Sequence, residues 1–149
     1  MHALDHAGRL AEAVDAMAKT GVATDGPEEA RAAALCAGSM RDAATAAANL
    51  AVAAGPAHAA DDALAAKIAG GAPAGGRSAA LERAAKTLAD LRATHRRATL
   101  DRVASGKVTA SQAIARVDAV AVLSRLAHHA WRAVAHLERA AALRMEPEP

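Results

Sequence analysis

The sequence contains no phenylalanine, no tyrosine and a single tryptophan. Aromatic and β-branched side chains favour strands, so their scarcity argues against a sheet. A core must then come from Ala, Leu and Val. These bring helix axes close together, but each alanine buries little area, at about 25 cal/mol per Å². Cysteine is almost absent too. Cys36 stands alone, which excludes an internal disulfide, and its apolar helical surroundings predict a buried, structural thiol. A reducing, cytoplasmic setting fits that usage.

Long hydrophobic runs are missing. The longest uncharged stretch, 43–60, is mostly alanine and is interrupted by Asn49, Pro56 and His58, so it does not read as a membrane span. The N-terminus lacks a basic region followed by an apolar one and does not read as a signal peptide. No Ser/His/Asp set and no paired carboxylates are present. The glycines between Gly70 and Gly76 adjoin neither a strand nor a Lys-Ser/Thr pair, which excludes a phosphate-binding P-loop. Nothing here implies a cofactor or an enzyme.

Alanine dominates what is present, and alanine is the best helix former. The 149 residues suffice for one domain with a core, so the fold class is all-α. Charge is unevenly spread. Residues 1–76 hold 5 basic and 9 acidic groups, whereas residues 77–145 hold 13 basic and 5 acidic. The halves either pack and partly neutralise each other, or leave a basic face for an anionic partner such as a membrane surface. Nucleic acid is not expected, because no stacking aromatics accompany the basic half.

Four helices are expected. The first runs from about His2 to Lys19 on Leu4, Leu10, Val14 and Met17, and Gly21 ends it. It opens almost at residue 1 with no cap before it, which predicts a domain of something longer. Asp25-Gly-Pro-Glu28 opens the second, with Asp25 as cap, Glu28 reaching back and Pro27 in the first turn. Gly55-Pro56 stops it. Residues 55–77 read as a flexible linker, with a short helix over 61–69 inside it.

Ser78 is the expected cap of the third helix. Leu81, Ala84, Leu88, Leu91, His95 and Ala98 recur three and four apart along it, and Gly106 closes it. Thr109-Ala-Ser-Gln112 forms a capping box for the fourth, which runs to about Met145 before a tail at 146–149. Short loops make sequential helices antiparallel neighbours. Residues 1–145 therefore read as a single antiparallel up-and-down bundle of three long helices plus an N-terminal one.

A short signature occurs near both ends of the chain. Residues 123–130 read Leu-Ser-Arg-Leu-Ala-His-His-Ala, and residues 5–9 read Asp-His-Ala-Gly-Arg. A shift of 123 positions lays His6 on His129, Ala7 on Ala130 and Arg9 on Arg132. This resembles the signature helix of PhoU-type proteins, helical-bundle regulators of phosphate uptake, whose repeats carry a segment close to Leu-Glu-Arg-Ile-Gly-Asp-His-Ala. In that family an acidic residue and an Asp four apart share a helix face and hold multinuclear metal sites. The corresponding positions here are Ser124 and His128, so the resemblance carries over the scaffold residues and not the metal ligands.

That departure resembles the cytoplasmic C-terminal domain of bacterial sodium/phosphate symporters. Leu123 to Arg132 is close to that group's late segment, and Leu91-Arg-Ala-Thr-His-Arg-Arg-Ala-Thr-Leu100 is similar to its preceding helix. The resemblance implies a PhoU-like regulatory or accessory domain at the inner face of the membrane. Its partner would be the transmembrane part of a phosphate transporter, N-terminal in cis or on a separate chain, with self-association possible.

Arg125, His129, Arg132, His136 and Arg139 follow a four-three-four-three spacing and share one stripe of the fourth helix. Such a stripe is either a solvated face with local ion pairs or an anion or partner contact, since Arg presents a fork matched to phosphate. His129 and His136, two turns apart, cannot chelate one ion between them, and no metal is expected. A different class also fits loosely. Histidine phosphotransfer bundles expose a His followed by a cation, here His129 and Arg132, but bulky Trp131 stands where a small Gly usually lets a partner approach.

Overall fold

The computed structural model describes residues 5, 6, 8–12, 14, 15, 26–53 and 76–145. The described positions between 5 and 15 are helical and form α1. Three long helices follow: α2 (Pro27–Ala53), α3 (Gly76–Ala104) and α4 (Ala110–Met145). No strand occurs among the described residues, and the chain is all-α as expected. The linker at 55–75, the short helix at 61–69, Asp25 and the tail at 146–149 lie outside the described residues.

The start of α2 has a local cause. Pro27 occupies the first helical position of α2, and Glu28 and Glu29 add negative charge to its first turn. The Gly26 carbonyl accepts the first helical bond, from the Ala30 N–H, at 2.9 Å. Asp25, toward which Glu28 is expected to reach back, lies outside the described residues; Glu28 Oε2 is buried with no hydrogen-bond partner. Glu29 folds over the helix start, where a Cβ on Gly26 would run into its Oε2. Gly26→Ala is therefore expected to destabilise the chain by about 1–3 kcal/mol, the range for forcing atoms into filled space. Urea denaturation of the two proteins measures it.

The start of α3 departs from expectation. Ser78 is not its cap, because the helix begins two residues earlier, at Gly76 with φ +76°. Its free N–H groups are satisfied from another helix: Arg77 N and Ser78 N donate to Glu138 Oε1 at 3.0 and 3.3 Å. The C-terminus of α3 is as expected. Gly106 takes φ +70°, and the N–H groups of Gly106 and Lys107 bond back to Val103 and Arg102, a glycine stop at the helix C-terminus. Thr109 and Gln112 close the expected capping box in both directions, at 3.1 and 3.2 Å.

Helix α4 packs on both α2 and α3, which also touch each other. At 36 residues it is about 54 Å long at 1.5 Å per residue, and it outreaches both partners. The core forms two adjoining clusters. One gathers Ala32, Cys36, Ala85, Leu88, Val120, Leu123, Leu126 and Ala127. The other gathers Ala43, Ala46, Leu81, Ala130 and Val134. Leu10, Met40 and Trp131 pack against both, so α1 is held by the same apolar seam. Cys36 is buried as expected, and burial pushes its thiol pKa up. No described helix is long and apolar enough to cross a membrane.

Candidate functional site

The stripe expected along α4 does not face a single neighbour. Arg125 and Arg139 are exposed, whereas His129, Arg132 and His136 are half-buried. Helix α1 lies against the two histidines. His6 Nδ1 lies 3.2 Å from His129 Nδ1, and the His6 ring stacks on His136 with centroids 5.4 Å apart and planes 17° from parallel. The imidazole of one signature copy thus meets its counterpart 123 residues away. Spacing within α4 alone does not show this meeting, but the repeated signature does contain both residues.

Around this contact the charges are close. Arg9 pairs with Asp5 at 3.3 Å on α1. His128 stands edge-on to both His129 and Trp131, each 5.5 Å away, and the Arg132 guanidinium lies over the Trp131 ring at 5.5 Å. Burial lowers the pKa of His128 below its ordinary value, helped by the charges of Arg132 and His6. Burial likewise lowers that of His129, helped by His128, His6 and Arg9 and opposed by Asp5. Both rings are consequently neutral at neutral pH and keep a nitrogen lone pair.

Arg125 looks elsewhere. It borders a cleft of about 370 Å³ between α3 and α4, together with Lys86, Arg92, Ser124, His128 and Trp131. Ser124 and His128, which stand where the resembled family has its acidic pair, therefore line a basic cleft. A second, more apolar cleft of about 260 Å³ lies by the α3–α4 turn, with Leu100 and Ile114 more than half exposed beside it.

A polar group that the spacing of α3 hides in plain view sits in the core. His95 occupies the apolar stripe of α3 and is 1% exposed, as is Glu29 of α2. His95 Nε2 and Glu29 Oε1 are 3.0 Å apart, and Arg116 Nε of α4 reaches the same oxygen at 3.9 Å. Three helices are joined at this point. Burial pushes the Glu29 carboxyl up, but the His95 bond, the residue's own backbone N–H and the charges of His95 and Arg116 outweigh it, leaving the pKa below 4.5. Glu29 Oε2, His95 Nδ1 and Thr99 Oγ1 are buried with no hydrogen-bond partner. So enclosed a group ties the three helices together.

Among the described residues, no set of three or more His, Cys, Asp or Glu is arranged to hold a metal ion. Comparison with known proteins adds no relative: no family model, no curated protein and no solved structure matches the chain.

Proposed function

We propose that this chain is a PhoU-like, non-enzymatic regulatory domain that acts on a sodium-dependent phosphate transporter from the inner face of the membrane. One observation carries the reading: the two copies of the signature pack against each other, His6 on His129, so the shared residues build a helix–helix contact. The juxtaposition of Arg77 with Glu138 and of Glu29 with His95 and Arg116 supports an antiparallel up-and-down bundle, the architecture this reading requires. The basic cleft at Arg125 and the apolar cleft beside Leu100 and Ile114 supply surfaces for a transporter partner.

The phosphotransfer alternative needs a solvent-open imidazole with room for a receiver domain. His129 is half-buried, and His6 occupies its Nδ1 side. Phosphate uptake by cells that carry the gene and by cells deleted for it tests the proposal. Altered uptake, restored by the full gene, is expected. Unchanged uptake overturns the proposal, as does phosphate transfer from a phospho-receiver that disappears on His129→Gln.

A further inference from the structure

The meeting of His6 and His129 has a geometry that suits more than a hydrogen bond. Two nitrogens at 3.2 Å lie at the long edge for an N–H donor and its acceptor. The same separation is what two imidazoles show when both bind one ion. With metal–nitrogen bonds of about 2.0–2.1 Å, a 3.2 Å span corresponds to a ligand–metal–ligand angle of about 100–105°, close to tetrahedral. We propose that His6 and His129 form a two-imidazole clamp for a divalent transition ion of the zinc, copper or nickel class, joining α1 to α4.

Several features of the site agree. Imidazole is a preferred ligand for these ions. His136 stacks on the opposite partner ring, His6, and so restrains its rotation. On α1, Arg9 pairs with Asp5, which offsets its charge toward an incoming ion. On α4, Arg132 is drawn onto Trp131. Two protein ligands leave the remaining positions to water, consistent with the lack of a three-residue set among the described residues. His129 and His136 lie two turns apart on one helix and cannot share an ion. The second ligand here comes from α1.

Calorimetric titration of Zn²⁺ into the full chain, stripped of metal with a chelator, tests the clamp. We expect one saturable site. His6→Ala and His129→Ala should each weaken it by about a hundredfold, at or beyond the range for losing a mere outer-shell support. His128→Ala should leave it unchanged, and circular dichroism should show an intact helical fold in all three variants. In parallel, Zn²⁺ should raise the melting temperature of the parent protein and not that of His6→Ala. The clamp is overturned by the lack of a saturable site, by binding that survives His6→Ala, or by binding lost as fully in His128→Ala. An unfolded variant is replaced by His6→Asn or His129→Asn, for which the same loss is expected and its absence is equally decisive.

Discussion

Glu29→Ala is expected to cost the fold about 3 kcal/mol, the upper end for leaving a buried hydrogen-bonding partner unsatisfied. The substitution strands His95, which is 1% exposed, and leaves Arg116 without its carboxylate. A typical domain has only about 5–15 kcal/mol of stability, so the loss is large. It also has a pH signature. The Glu29 pKa in the folded chain lies below its ordinary 4.5. Its contribution is therefore complete above that ordinary value and is lost as pH falls through the lower, folded-state pKa. Denaturant titrations from about pH 7 to about pH 3 should show the parent losing stability more steeply than Glu29→Gln, which cannot titrate. Parallel curves for the two proteins would contradict this account.

Leu88→Ala is expected to cost as much or more, about 3–5 kcal/mol, the upper part of the range for truncating buried leucines. Leu88 is fully buried, and its cluster includes Ala32, Ala85 and Ala127. Alanine has no side-chain torsion with which to lean into a void. A core this rich in alanine cannot collapse around the missing atoms, so the cavity persists. A loss nearer 1 kcal/mol by urea denaturation would show that the helices close up instead.

Much of the architecture is legible along the chain because it is written in local chemistry. Gly106 and the Thr109–Gln112 box place the α3–α4 turn, and both work as their residue types dictate. Pro27 marks the start of α2 for the same reason. The misread end, the start of α3, is the one completed from elsewhere. Ser78 is the nearest capping residue in sequence, but α3 is capped by Glu138, 61 positions from Arg77. Near the start of α2, neither Glu28 nor Glu29 stands out in sequence as the carboxylate that meets the buried His95.

The candidate site divides the same way. Helical spacing groups Arg125, His129, Arg132 and His136 on one stripe of α4. It does not say that the two histidines turn toward α1 while Arg125 borders the α3 cleft. His95 stands at an apolar position of its stripe, and that position alone signals a buried imidazole in need of a partner. Which acidic residue answers it depends on how α2 and α3 pack.

The solitary indole gives the molecule an optical voice of its own. Trp131 touches both core clusters and bears the edge of His128 and the guanidinium of Arg132. With no tyrosine in the chain, every photon of near-ultraviolet emission originates at this one ring. Its colour and lifetime report whether the seam between the clusters is dry or wetted, and whether the neighbouring imidazole carries a proton. Unfolding, cleft occupancy and rearrangement of α1 can all be followed without any attached dye.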